Sequence, residues 1–381
     1  MYYKFFLDIF VWFFKSKVSI ETESIIIAEL EPYFKRCYLH NPTLKENKHW
    51  QQLKIKKANR WYNLFSYLLK KVDAVAFWGG LSPIYKMAKL VATETGKKVF
   101  FFENGVLPGT IVIDHKGTNN ESSLKDIDPQ FLSGLFDKDQ FSSLKETIFP
   151  QRPLRKIKNK SKGVAVQDPS IESFPEDYIL FIMQVHDDSQ IVNFSPYFEN
   201  MTESIEYVYT NMEQYNEKYK TDYKLVVKEH PSDYGRINYE DFYAKYPDII
   251  VIRTIPVRKL FDSAKILITV NSSVAVEAMI YGLPIITLGN AFFNKPGLCC
   301  FFNPAEENMV DILKFDCLNF DQKLRDNYIS FLFYDFLLKI PSVDNLFAAE
   351  LAANRISELL NDIHLVENIL KEREQLVLAK I

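Results

Sequence analysis

Short apolar runs punctuate the second half of the chain. DYILFIMQV (177–185), YKLVVK (223–228), IIVI (249–252), KILITV (265–270) and PIITLG (284–289) are short and rich in β-branched residues. Each reads as a strand buried in a sheet. Between them apolar residues recur at helical spacing, predicting a long helix over about 200–218 and a short one over about 257–263. The first half follows a similar rule. DAVAFWGG (73–80) is a strand ending in two glycines, a helix follows over about 83–95, and KKVFFFENG (97–105) is a second strand running into a polar turn. GTIVIDHKGTNNESS (109–123) predicts a short strand and a loop, and SIIIAEL (24–30) a buried strand or the start of a helix. Strands alternating with helices imply βα units and parallel sheets, an α/β fold that is doubly wound in the second half.

One segment breaks the pattern. QRPLRKIKNKSK (151–162) carries six basic residues and no acidic one. It predicts a solvated interdomain linker, or a contact with anionic lipid headgroups. Three regions follow: a Rossmann-like acceptor-side domain over 1–162, a Rossmann-like nucleotide-sugar domain over 163–340, and a helical segment over 341–381. The helical stretch 346–378 suits packing across the domains or dimerisation equally. No internal repeat or low-complexity segment interrupts this plan.

Composition narrows the class. The 381 residues are enough for two cores, and the net charge of −3 speaks against a whole-protein nucleic-acid binder. The cysteines, Cys37, Cys299, Cys300 and Cys317, show no metal spacing, and an adjacent pair makes a poor disulfide, which fits a reducing cytoplasm. Aromatic residues reach 15%, suited to thick cores or to sugar and membrane contacts. The opening MYYKFFLDIFVWFFKSK (1–17) lacks a cleavage-site pattern, has Asp8 inside its apolar run, and is shorter than the roughly 20 residues of a membrane span. It reads as a buried first element, or as an interfacial anchor with Lys4, Lys15 and Lys17 at its polar edge.

Candidate chemistry gathers where the strands end. In open parallel sheets ligands bind beyond the carboxyl ends of the strands. Asp187, Asp188 and Gln190 follow one strand, Glu229, His230 and Pro231 the next, and Asn271, Ser272 and Ser273 a third. In the first half Gly79, Gly80 and Ser82 follow one strand, and Glu103, Asn104 and Gly105 another. Two Rossmann-like domains facing each other with such edges make the cleft of a nucleotide-sugar glycosyltransferase of GT-B architecture. Ser272 and Ser273 at a helix start either cap that helix or offer donors to a phosphate. Glu277, one turn on, suits the two hydroxyls of a ribose. Pro231 turns the chain so that His230 reaches over the edge, where it can donate to a phosphate oxygen, and Lys228 adds charge.

VVKEHPSDYG (226–235) followed by VNSSVAVEAMIYGLPIITLGNAFFNKPGL (270–298) resembles the capsule polysaccharide biosynthesis family, whose members include bacterial Kdo transferases using CMP-Kdo. QVHDDSQI (184–191) and FFENGVLPGTIVIDHKGTNNESS (101–123) look like further blocks of it. The histidine-proline and Ser-Ser pairs are also similar to those of CMP-sialic acid transferases. The resemblance implies that His230, Pro231, Ser272, Ser273 and Glu277 bind the CMP part of a donor. It further implies that Asp188, beside Asp187, and Glu103 serve as carboxylates near the reacting sugar. A single donor phosphate needs no metal, so none is expected, and no other cofactor. Asp188 is expected to be nucleophile or base with Glu103 as its partner, or the reverse. The expected reaction moves Kdo from CMP-Kdo to a lipid-linked surface glycan, at or near the inner face of the cytoplasmic membrane. The alternatives are a sialyltransferase and a non-catalytic glycan-binding or assembly protein of the same fold.

Overall fold

The computed structural model describes residues 11, 14–136, 138–148, 168, 174–233, 236–314, 319–340, 346–361, 368 and 371. Most of the aromatic opening stretch and the whole basic stretch 151–162 lie outside the described residues. The chain forms two compact units. One combines residues 1–104, 111–123 and 343–363; the other combines 105–110, 124–342 and 364–381.

The first unit begins with two long helices, α1 (Ile20–His40) and α2 (Lys48–Leu68). The apolar run of residues 24–30 is therefore helical, not a strand. Its burial shows why: Ile26 and Leu30, four apart, are buried, while Ile25 and Ile27 face outward. Ser19 and Asn47 cap the two helices through their side chains. Strand β1 (Ala74–Trp78), helix α3 (Pro83–Glu94) and strand β2 (Lys98–Asn104) make the expected βα unit, with β1 parallel to β2. Strand β3 (Thr110–Asp114) pairs with β2 antiparallel. The intervening residues are too few for the crossover that a parallel neighbour requires, so this part of the sheet departs from the parallel expectation.

Behind β3, the buried Asp114 carboxylate accepts from the amides of Lys116, Gly117 and Ser123 and from the hydroxyls of Ser122 and Ser123. Those bonds hold the 115–123 loop against its strand.

The second unit contains helix α4 (Lys138–Ile148) and then a six-stranded sheet, all parallel. Its elements are β4 (Tyr178–Ile182), α5 (Ser189–Phe194), α6 (Met201–Tyr219), β5 (Lys224–Lys228), α7 (Glu240–Lys245) and β6 (Ile250–Ile252). After them come β7 (Ala264–Thr269), α8 (Val274–Ile280), β8 (Ile285–Thr287), β9 (Cys300–Phe301), α9 (Met309–Ile312) and α10 (Gln322–Phe331). The strand order is β6-β5-β4-β7-β8-β9, the order of dinucleotide-binding sheets. Ile179, Phe181, Leu225, Val227, Ile266 and Ile268 join one core with Ile205, Val208 and Met212 of α6. The alternate residues Leu180, Val226 and Leu267 are equally buried, so the central strands are covered on both faces. Residues 257–260 form a single turn of 3-10 helix, shorter than the helix the sequence predicts. Helix α11 (Leu346–Asn361) belongs to the first unit, where Lys98 donates to the Leu360 carbonyl.

Candidate functional site

The order of the second sheet reverses between β4 and β7, and their carboxyl ends frame the crevice where such sheets bind ligands. Gln184 follows β4 and Asn271 follows β7. Gln184 Nε2 donates to Asn271 Oδ1 at 2.9 Å, and the Asn271 amide donates to Gln184 Oε1 at 3.1 Å. Asn271 Nδ2 in turn donates to the carbonyls of Gln190 (3.1 Å) and Asn290 (3.2 Å). Both side chains are buried. Asn271 thus ties together the segments following β4, β7 and β8 at the switch point, and its amide is occupied by the protein. It is a scaffold for the site, where the sequence had placed it among the ligand-binding groups.

Ser272 and Ser273 sit directly beyond this tie. Ser272 is buried, and its Oγ accepts from the Val274 amide at 3.3 Å. Ser273 holds the cap position of α8, is exposed, and makes no capping bond with its side chain. One serine therefore trims the helix start while the other turns its hydroxyl to the outside. Gly289 follows β8 under the same tie; a Cβ there would meet Val270 Cγ1 at 2.8 Å and the Phe194 carbonyl at 3.0 Å.

Glu277 lies one turn into α8. Arg258, from the turn after β6, donates from Nε (2.9 Å) and Nη2 (2.8 Å) to its Oε2. Arg258 stands 19 positions from Glu277 in sequence, so no local pattern marks it. It directs the Glu277 carboxylate and engages only one of its two oxygens.

His230 follows β5 and Glu229. The Ser232 amide donates to His230 Nδ1 at 3.1 Å, so in the neutral imidazole the proton sits on Nε2. Pro231 opens the short turn that supplies this amide. Beneath it, the buried Glu229 carboxylate is gripped by Arg253 through Nε (2.7 Å) and Nη2 (3.3 Å). Lys228 does not add its charge to an outer face. It is buried, and its ammonium donates to the Arg253 carbonyl at 2.6 Å and the Glu229 carbonyl at 3.3 Å. Burial pushes its pKa down to about 8, against the opposing pull of Asp168 and Glu229.

The residues after β4 divide in the same way. Asp188 caps α5: its Oδ1 accepts from the Gln190 amide at 2.9 Å, and it is half-buried. Asp187 is buried and ion-paired with Arg236 at 3.2 Å. It belongs to a group centred on the buried Asp233, which accepts from the His186 amide (3.0 Å) and the Tyr239 hydroxyl (3.1 Å) and faces His186 Nδ1 at 3.3 Å. Burial, and then the Asp233 charge, raise the Tyr239 hydroxyl far above its usual pKa. This group braces the His230 turn against the loop after β4, because Asp233 ends that turn.

Glu103 lies in the first unit, near the end of β2, half-buried, with the Asn104 amide donating to its Oε1 at 2.9 Å. A Cβ added at Gly79 would stand 3.7 Å from its Oε2. Gly105 has a packing reason for its identity: a Cβ there would fall 2.0 Å from Thr110 Oγ1. So Asp188, His230, Ser272, Ser273 and Glu277 follow the strands of one parallel sheet, Glu103 lies within β2 of the other unit, and Lys228, Asn271, Asp187 and Gly105 are held in structural contacts.

A Rossmann-ordered sheet with a histidine, two serines and two carboxylates beyond its strand ends has the architecture of doubly wound α/β units, in which ligands bind at that edge. The capsule polysaccharide biosynthesis protein family matches residues 136–334, more than half of the chain, and the chain belongs to that family. It is 26% identical over 274 residues to the capsule polysaccharide export protein KpsS of Escherichia coli, covering 59% of this chain and 69% of that protein. It is 22% identical over 324 residues to the capsule polysaccharide modification protein LipB of Neisseria meningitidis serogroup A, covering 69% and 76%. Among solved structures, Thermosulfurimonas dismutans KpsC, a β-Kdo 2,7 transferase, aligns at a TM-score of 0.45 and 16% identity over 74% of this chain and 83% of that one. No helix among the described residues is long and apolar enough to cross a membrane.

Proposed function

We propose that this chain is a glycosyltransferase of capsule assembly that moves Kdo from CMP-Kdo onto a lipid-linked glycan, without a metal ion. The observation that supports the reading most is the state of His230. With Nδ1 accepting from Ser232, the neutral imidazole carries its proton on Nε2, and in this reading Nε2–H donates to the departing phosphate. Ser272 and Ser273 add hydroxyl donors to the same anion. Glu277, directed by Arg258, offers Oε1 to a ribose hydroxyl.

Asp188 has one oxygen engaged by the Gln190 amide, and its other oxygen is the one to act. In a retaining reaction it attacks the anomeric carbon and the C–O bond to CMP breaks, with the electron pair leaving on the phosphate. The acceptor hydroxyl, losing its proton, then displaces the carboxylate; in an inverting reaction Asp188 instead takes that proton while the acceptor oxygen attacks the anomeric carbon and CMP leaves with the electron pair of the broken C–O bond. Glu103 belongs to the first unit and takes no step in this scheme. Asp187, paired with Arg236, positions its neighbour and does not touch the sugar in this scheme.

Supplying CMP-Kdo and CMP-sialic acid separately, with chelator present, tests the proposal. CMP release from CMP-Kdo alone supports it; release from CMP-sialic acid alone, or none without added metal, overturns it.

A further inference from the structure

The loop after β6 is held by a residue far away in sequence. Asp168 Oδ1 accepts from the Arg253 amide at 2.8 Å, and its Oδ2 accepts from the amides of Thr254 (2.6 Å) and Ile255 (2.8 Å) and from the Thr254 hydroxyl at 2.5 Å. Three successive amides converging on one carboxylate form an anion nest at a strand end, and here the chain fills its own nest. Burial alone would raise the Asp168 pKa, but the Thr254 hydroxyl and the three amides outweigh it and hold the carboxyl below its usual range.

The held segment reaches two parts of the candidate site. At its start, Arg253 grips Glu229, the residue before His230, and its carbonyl receives the Lys228 ammonium. At its end, beyond Pro256, Arg258 grips Glu277. Between these two arginines lie only the amides bound by Asp168 and the Pro256–Val257 step.

We propose that Asp168 is a positioning residue for the donor site: by filling the nest of residues 253–255 it sets Arg253 and Arg258, and through them the His230 turn and the Glu277 carboxylate. The inference rests on the reading of that site as a CMP site. A surface carboxylate that merely adds stability would not act through both arginines at once.

The test replaces Asp168 by Ala in the full chain and supplies formate, a free carboxylate that fits the emptied nest, with chloride at equal ionic strength as control. CMP affinity is expected to fall by about tenfold and to return to within about threefold with formate but not with chloride. The wild-type chain is expected to be insensitive to formate. If a CMP-Kdo turnover assay is running, KM for the donor rises while kcat changes little. Asp168→Asn keeps the volume and one acceptor oxygen and covers the case of a poorly folded Ala variant; its loss is expected to be intermediate. Hydrogen exchange over 253–255 reads the clamp without any ligand and should quicken in both variants. Unchanged exchange, or CMP affinity lost without formate rescue, overturns the inference. A wild-type chain that fails to bind CMP while exchange quickens in the variants overturns the functional reading and leaves the clamp standing.

Discussion

Gln184 and Asn271, 87 positions apart, exchange two hydrogen bonds across the switch point of the parallel sheet. This pair explains why a buried strand ends in Asn-Ser-Ser. Asparagine joins three loops, and the serines are carried beyond it. Asn271→Ala would leave Gln184 Nε2 and two loop carbonyls without their donors or acceptor in a buried place. The expected cost is about 2–4 kcal/mol, read as a lower urea midpoint at unchanged slope. A loss below about 0.5 kcal/mol would show that the tie does not hold the loops.

Arg258 places both of its bonds on one oxygen of Glu277. Lysine cannot reproduce two donors in a fixed fork. Arg258→Lys is therefore expected to weaken CMP binding by about tenfold, nearly as much as Arg258→Ala, while Arg258→Lys leaves the unfolding midpoint within about 1 kcal/mol of wild type. Full CMP affinity in Arg258→Lys, measured by calorimetry, would mean that Glu277 needs no such direction.

His230 is half-buried and its Nδ1 is taken by the Ser232 amide. His230→Asn keeps an acceptor near that amide and loses the Nε2–H. Turnover of CMP-Kdo is expected to drop by about 10²–10³-fold, with the fold kept. Nitrogen-15 NMR should find Nε2 protonated and Nδ1 as acceptor in the resting protein; the opposite tautomer contradicts the assigned role.

Lys228 gives a pH signature. Its folded pKa, about 8, lies below the model-peptide value of 10.5. The unfolded chain therefore binds the proton more tightly, and the group's contribution to stability grows as pH rises from about 8 and is lost as pH falls through 8. The unfolding free energy of wild type minus that of Lys228→Met should increase between about pH 7.5 and 9.5, before the tyrosines titrate. A flat difference would mean that the buried ammonium keeps its ordinary pKa.

The central strands β4, β5 and β7 of the second unit were legible because each is a short apolar run buried on both faces, and the polar residues beyond them stand out against it; β9, the two residues Cys300–Phe301, gave no such signal. The helical hairpin of α1 and α2 was legible only in part: three successive isoleucines at 25–27 suit a strand as well as the start of a helix, and only burial separates Ile26 from its neighbours. In the candidate site, Ser272, His230 and Glu277 announce themselves locally. The burial of Lys228 and the commitment of Asn271 depend on which strands lie side by side. Arg258, Arg253, Asp233 and Asp168 escaped notice because their partners are remote in sequence or hidden under a turn, as with the 85 positions between Asp168 and Arg253. Gly105, next to a candidate carboxylate, owes its identity to Thr110 packing.

A crystal structure of the chain with CMP bound bears most directly on the central claim. The phosphate is expected within hydrogen-bonding distance of His230 Nε2 and of Ser272 or Ser273, with a ribose hydroxyl on Glu277. CMP bound away from the β4–β7 switch point, with these side chains untouched, would contradict it.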